Sequence, residues 1–222
     1  AMERIPEPEL MDDGPQAAAY AAADFSASDG ALLERLALLF PAGLGPRLLD
    51  LGCGPGNISF RLAQQYPQAA VLGLDGAAAM LTLAQAQLAQ QPELAGRLRF
   101  ERRCLPDPQL AGGYSAVVSN SLLHHLHDPA VLWRSVRQLA APGACVYIKD
   151  LRRPASPAAA EALRARYLAD APPVLQHDYL ASLHAAFTPE EVALQLQQAG
   201  LASALQVAPS DDRYLEVWGM LG

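Results

Sequence analysis

The run Leu48-Leu49-Asp50-Leu51-Gly52-Cys53-Gly54-Pro55-Gly56-Asn57 joins an apolar segment to a carboxylate and three glycines at alternate positions. A residue without a Cβ lets the backbone turn sharply and come close to a ligand. A helix starting just behind such a turn leaves its first amides free to donate. A dinucleotide pyrophosphate asks for G-x-G-x-x-G, whose last glycine brings helix and strand together. Here the spacing is G-x-G-x-G, Asn57 holds the place of that last glycine, and Asp50 precedes Gly52 by two residues. The pattern suits a ligand with a positive amino group and no phosphate, and a nicotinamide oxidoreductase is disfavoured. A second carboxylate, Asp75, closes the apolar run Ala-Val-Leu-Gly-Leu and is followed by Gly76.

Further along, Ser119-Asn120-Ser121-Leu122-Leu123-His124-His125-Leu126-His127 holds three of the five histidines. An imidazole with an ordinary pKa of about 6.5 takes a proton near neutral pH, which makes His125 or His124 the candidate general base. A metal ion that acidifies an acceptor hydroxyl is the other chemistry such residues offer. No further ligand falls at a metal-binding spacing, and adjacent residues cannot share one helical face, so no metal is expected. The preferred reading is plainer: a lead-in to a helix that packs or touches a cofactor.

The elements that position these groups follow from periodicity. RLLDL, AVLGLD, LRFERR, SAVVSN and ACVYIKD are short apolar runs with the texture of buried strands. Between them, helices are predicted over 57–66 and 77–91, and a third carries Leu132, Val136 and Leu139 and is stopped by Pro142-Gly143. This alternation implies a parallel sheet with helices on both faces. Ahead of it, 15–25 is rich in alanine and helix-forming, and Ser28 or Asp29 is the expected cap of a helix with Leu32, Leu33, Leu36, Leu39 and Phe40 on one face. Residues 1–13 are polar and Pro-rich, ordered only by docking, and Ala1 before Met2 reads as an added residue. Residues 151–187 form an insertion of two helices punctuated by prolines. Thr188-Pro189-Glu190-Glu191 opens a helix with a capping box, and ALQVAP and YLEVWG close the fold.

Composition narrows the class. At 222 residues, 51% of them hydrophobic, the chain has room for one α/β domain with a real core. A net charge of −7 argues against a nucleic-acid partner, which calls for a basic stripe. No apolar run approaches a membrane span and the N-terminus has no signal-peptide pattern, so a cytoplasmic protein without a membrane partner is expected. The three cysteines are far apart and match no metal spacing; reduced thiols are expected. Arg152 and Arg153 read as a solvated pair, and Tyr167, His177, Tyr179, His184 and Phe187 as candidate pocket liners or ordinary packing.

LLDLGCGPGN resembles the signature loop E/D-x-G-x-G-x-G of class I S-adenosylmethionine-dependent methyltransferases of the small-molecule type, and the resemblance runs from Arg47 to Gly219. It implies an α/β fold: a Rossmann-like, seven-stranded, mostly parallel sheet with an antiparallel last strand matched by YLEVWG, helices on both faces, an N-terminal helical cap and a helical insertion after strand five. It also implies S-adenosylmethionine as cofactor, with S-adenosylhomocysteine as product. Asp50 then helps hold the methionine amino group, Gly52 and Gly54 lie against methionine and ribose, and Asp75 accepts both ribose hydroxyls. Cys53, Asn57 and Gly76 complete that loop's lining, Asn120 meets the methionine moiety with its carbonyl, and Tyr20 folds over the cofactor. Met80 packs either on adenine or in the core. The family often places an acid after the third strand; this chain has Arg102-Arg103-Cys104-Leu105, so the adenine anchor falls to the backbone of Cys104 and Leu105, or to Asp107. Family members that methylate DNA bases carry D/N-P-P-Y/F where Asn120-Ser121-Leu122-Leu123 stands, which disfavours a nucleobase acceptor.

The expectation is therefore an N-terminal arm and helical cap over 1–46 and one methyltransferase domain over 47–222, whose 151–187 insertion roofs the acceptor site. The function implied is methyl transfer to a small-molecule acceptor by in-line displacement, which needs alignment more than a base. The alternative is a catalytically silent adenosylmethionine- or adenosylhomocysteine-binding regulatory or accessory protein.

Overall fold

A computed structural model describes residues 2–222; Ala1 lies outside them. Two helices come first, α1 (Gly14–Ala22) and α2 (Ser26–Leu39). Then β1 (Arg47–Leu51), α3 (Asn57–Gln65), β2 (Ala70–Asp75), α4 (Ala78–Ala89), β3 (Leu98–Arg102) and β4 (Tyr114–Asn120) alternate. A 3₁₀ turn, Leu123–His125, leads to α5 (Ala130–Leu139) and the long β5 (Ala140–Leu151). The insertion is α6 (Pro157–Tyr167) and α7 (Pro173–Ala185), and α8 (Pro189–Gln198), β6 (Leu205–Pro209) and β7 (Tyr214–Met220) complete the chain.

The seven strands form one sheet in the order β3-β2-β1-β4-β5-β7-β6. β1 to β5 pair in parallel, whereas β7 runs antiparallel to both β5 and β6. The expected topology is the observed one. The strands read as continuous apolar runs because both faces are covered. Leu48 and Val71 pack with Leu36 of α2 and Leu62 of α3, while Leu49 and Leu72, one residue on, pack with Trp133 of α5 and Leu196 of α8.

Two local expectations are corrected. α2 begins at Ser26, ahead of Ser28 and Asp29, because Asp24 accepts from the Ser26 amide over 2.9 Å; Asp29 sits buried inside the first turn. Pro142-Gly143 does not end α5, which stops at Leu139 and passes straight into β5. Strand pairing jumps from Tyr114–Ala140 to Ala116–Cys145, so Pro142 and Gly143 form a bulge inside the strand, where a missing amide and a positive φ are tolerated. The capping box at α8 is present, with Thr188 and Glu191 each accepting from the other's amide. All three cysteines are free thiols. Among the described residues no helix is long and apolar enough to cross a membrane.

The N-terminal arm is docked along its length. Arg4 lies 4.0 Å over the Phe187 ring and donates to the carbonyls of Ala185, His124 and Leu126. Arg153, read from sequence as solvated, donates to the carbonyls of Met2 and Ala186 and grips Glu191 through two nitrogens, each at 2.9 Å. Arg152 donates to the carbonyls of Tyr214 and Asp211. Arg153 is not solvated and Arg152 is half-buried: the segment leaving β5 must be fastened to the insertion, the arm and the edge of β7, and guanidinium forks do it.

Candidate cofactor and acceptor site

The site lies at the carboxyl ends of β1, β2, β4 and β5. Gly52, Gly54 and Gly56 all have positive φ, at 70°, 55° and 94°. Their surroundings differ. A Cβ on Gly52 would stand 2.9 Å from Leu122, and one on Gly56 2.8 Å from Phe100, whereas one on Gly54 would meet nothing within 4 Å. Gly52 and Gly56 are glycine because neighbours crowd them. Gly54 faces open space.

Asp75 borders that space. Its Oδ2 accepts from the Gly54 amide and its Oδ1 from the Ala77 amide, each at 2.8 Å. A carboxylate has about four acceptor positions, so two remain for a pair of ligand hydroxyls. Burial raises the Asp75 pKa and the backbone donors pull against that rise. Asp50 points to the other side of the same loop, toward α3, because alternation along β1 puts it on the face of Leu48. It is 1% exposed and its Oδ2 accepts from the Ser59 hydroxyl at 2.7 Å. Burial, with Asp75 and Asp29 nearby, pushes its pKa up to about 7. Asn57 starts α3, and Asp29, near Asn57 and Arg61, has its pKa raised by burial.

Above the β2 end, α1 lies on α4, and Ala17, Tyr20, Ala77 and Met80 pack together. Met80 is thus a core residue between two helices, at the border of the site. Tyr20 stacks on Phe25 with centroids 4.9 Å apart, and burial raises its phenol pKa. Gly76 is hemmed by Leu10 of the arm and the Cys104 thiol, and its carbonyl accepts from Arg102. Leu105 packs toward the α5 side of the sheet, and Asp107 accepts from the Gln109 amide in its own turn.

β4 ends in strain. Ser121 has φ +65°, a left-handed backbone that a non-glycine residue adopts at a cost, and its amide donates to the Lys149 carbonyl. That corner turns Asn120 to the crevice rim and swings Leu122 over Gly52. The 3₁₀ turn that follows, and not an α-helix face, brings the two adjacent histidine rings together with centroids 4.1 Å apart. His124 is 3% exposed; its Nδ1 lies 2.6 Å from Asp150 Oδ1, and its amide donates to Asp150 Oδ2. Burial alone would depress its pKa, but Asp150 and Glu7 outweigh that and hold it up to about 9. His125 is lowered to about 4 by burial and by the charge on His124. At neutral pH His124 is charged, so of the two candidate bases only His125 has a free lone pair, and a weakly basic one. His127 faces the arm, its Nε2 against the Glu7 carbonyl. Of the pocket-liner candidates, Phe187 is buried under Arg4, Tyr167 donates to Asp212, and Tyr179 and His184 each keep one buried polar atom without a partner.

Sequence reasoning missed Asp29, Glu7 and Asp150 as members of this crevice. Only Asp150 had a signal, its place at the end of a strand beside β4.

Residues 49–146 match a model described as a methyltransferase domain. Over that stretch, just under half of the sequence, the chain is similar to methyltransferase domains. A trans-aconitate 2-methyltransferase of Deinococcus radiodurans is 42% identical over 106 residues, 46% of this chain and 38% of the relative. A ubiquinone biosynthesis O-methyltransferase of Acinetobacter baylyi is 30% identical over 161 residues, 71% of this chain and 63% of the relative. The chain therefore spans well under two thirds of the first of these relatives and slightly under two thirds of the second. A SAM-dependent methyltransferase from Aquifex aeolicus superposes with a TM-score of 0.66 at 16% identity, covering 93% of this chain and 98% of the other, which establishes the shared fold. The matched stretch runs from within β1 to the middle of β5 and takes in the glycine loop, Asp75 and the histidine turn.

Proposed function

We propose that this chain transfers a methyl group from S-adenosylmethionine to a small-molecule acceptor by in-line displacement. The observation that carries the reading is the pairing of open space over Gly54 with an Asp75 carboxylate that keeps acceptor capacity beside it. Asp75 takes the two ribose hydroxyls, contacts strengthened by its charge. Asp50 faces the amino group, the backbone of Gly52, Cys53 and Gly54 follows the methionine and ribose, and Asn57 closes the loop at the start of α3. Gly76, Met80, Cys104 and Leu105 border the adenine, while Asn120 and Tyr20 flank the methionine end. When bound, the cofactor supplies a methyl group on a sulfonium, an electrophile already activated.

The chain's own work is alignment and exclusion of water. Residues 1–46 serve as the cap, through α1 on α4, and 151–187 as the roof of the acceptor side in a single 47–222 domain. Gln16 of α1 donates to Asp178 of α7 at 2.8 Å, so cap and roof meet across the crevice. Bringing nucleophile and methyl carbon into line this way supplies a large part of such an acceleration. Of the two candidate bases, His125 is the one not already protonated, and His124 holds the turn. The names of the relatives suggest where to look for acceptors: small acids such as trans-aconitate, and hydroxyl-bearing precursors in ubiquinone biosynthesis.

Calorimetric titration with S-adenosylhomocysteine tests the cofactor half, and conversion of S-adenosylmethionine in the presence of those acceptor classes tests the transfer. Stoichiometric binding with turnover on a small molecule is the expected result. No uptake of S-adenosylhomocysteine by folded protein overturns the reading, and tight binding without turnover on any acceptor leaves a cofactor-binding accessory protein in its place.

A further inference from the structure

Glu7, His124 and His125 come from two segments far apart in sequence, yet their ligand-capable atoms all lie within 4.8 Å of one another. The Glu7 Oε1 is 3.2 Å from His124 Nε2 and 3.2 Å from His125 Nδ1. Neither contact has hydrogen-bond geometry: both ring nitrogens are buried and end without a hydrogen-bond partner. Two imidazole nitrogens beside one carboxylate oxygen, without the geometry of a hydrogen bond, leave ligating capacity unused in a site removed from water. His124 Nδ1 is held by Asp150 at 2.6 Å.

We infer that Glu7, His124 and His125 form a binding site for one divalent transition-metal ion of the zinc or ferrous class, with Asp150 orienting His124 from behind. The spacing fits. Metal–ligand bonds of about 2.0–2.2 Å at tetrahedral or octahedral angles put neighbouring ligand atoms about 3.0–3.5 Å apart. The ligand set fits as well. Two imidazoles and one carboxylate suit zinc or ferrous iron, whereas magnesium and calcium take shells of oxygen. A carboxylate on the far nitrogen of a ligating histidine fixes its tautomer and strengthens it as a donor, and Asp150 stands in that position, receiving the His124 amide as well. Three protein ligands leave at least one position for water or for an oxygen of a bound molecule. The ion also pins the arm: Glu7 reaches the turn beside Arg4 and accepts from Ser182 of α7, so one cation ties arm, histidine turn and insertion together. The site neither requires nor excludes a bound adenosyl compound.

The test loads the full-length protein with Zn²⁺ or Co²⁺, measures the stoichiometry by elemental analysis after gel filtration, and reads the ligands by X-ray absorption. The expected result is one ion per chain, two imidazole scatterers and no sulfur. Glu7→Gln and His125→Ala, each shown folded by circular dichroism, should weaken binding about 100-fold or more, and Asp150→Asn by about 10–100-fold. His177→Ala should leave it unchanged. Failure of the wild-type protein to retain a stoichiometric ion overturns the inference, and so does a sulfur ligand or affinity indifferent to Glu7→Gln and His125→Ala. The absorption measurement on wild-type protein decides the matter even if a variant fails to fold.

Discussion

The Gly54 amide donates to the Asp75 carboxylate across 2.8 Å, locking the tip of β2 to the turn that leaves β1. One carboxylate thereby shapes the loop and faces the space above it. Asp75 also starts α4 by accepting from Ala77, so the geometry of the candidate cofactor cradle and the entry of the next helix depend on the same side chain.

Asp75→Asn separates the two duties. The amide oxygen can still accept from one backbone N–H, but the charge and half of the acceptor capacity go. Losing charge-assisted contacts to two hydroxyls should weaken S-adenosylhomocysteine binding by about 1.5–3 kcal/mol, roughly 10- to 150-fold. Titration calorimetry checks this. An unchanged affinity would remove this residue from the cofactor site.

Gly54→Ala and Gly56→Ala should fail in different ways. At Gly54 a methyl group meets only open space, and its left-handed φ costs about 1 kcal/mol; the variant folds but binds S-adenosylhomocysteine at least about tenfold more weakly, because the methyl occupies ligand volume. At Gly56 the methyl drives into Phe100 and Phe60, both in the core, so the melting temperature falls first. Thermal melts paired with titrations distinguish the two. Equal loss of stability in both variants would show that the space over Gly54 is not a ligand site.

The contrast between these glycines marks how far the sequence could be read. The glycine loop, Asp75 and the strand–helix alternation were legible because each is set within a few residues by periodicity and turn chemistry. Which glycine faces a ligand and which faces Phe100 was not, since Phe100 arrives from β3. Glu7 met the histidines for the same reason: the arm carries no periodic signal, and its place is fixed by Arg4 and by the carbonyls left open at the ends of α7 and the 3₁₀ turn. Arg153 looked like half of a surface pair because its acceptors, two carbonyls and Glu191, are brought by chain reversal. Pro142-Gly143 misled because a helix stop and a strand bulge use the same two residues.

Arg153→Ala tests that fastening. Its side chain is 9% exposed and serves the arm, the end of α7 and α8 at once. Removing it leaves two carbonyls and a carboxylate short of their donor, a cost of about 1–3 kcal/mol in global stability. The arm should also come loose, so hydrogen exchange at Ile5, whose amide donates to the His184 carbonyl, should quicken relative to β-sheet amides. Urea unfolding with exchange mass spectrometry measures both. Unchanged protection at Ile5 would mean that Arg4 and the contacts of Glu7 hold the arm without Arg153.

Asp50 gives the chain a pH dependence of definite sign. Its carboxyl titrates at 3.8 when unperturbed and at about 7 in the folded, ligand-free protein, where burial opposes the charge. Between those two values the folded state keeps a proton that the unfolded chain has released. This contribution to stability is complete below pH 3.8 and is lost as pH rises to about 7, by up to ~4 kcal/mol if the whole window counts. Asp50→Asn cannot ionise, so unfolding free energies of variant minus wild type should climb in the variant's favour from pH 4.5 to 7.5 and flatten above. Subtracting the curves cancels the other carboxylates. Ligand binding should reverse the sign: a bound ammonium group favours the ionised carboxylate, so wild-type affinity for S-adenosylhomocysteine strengthens from pH 6 to 8 while that of Asp50→Asn stays level. A flat difference curve would place an ordinary, already ionised carboxylate at Asp50, and a level wild-type affinity would put the amino group elsewhere.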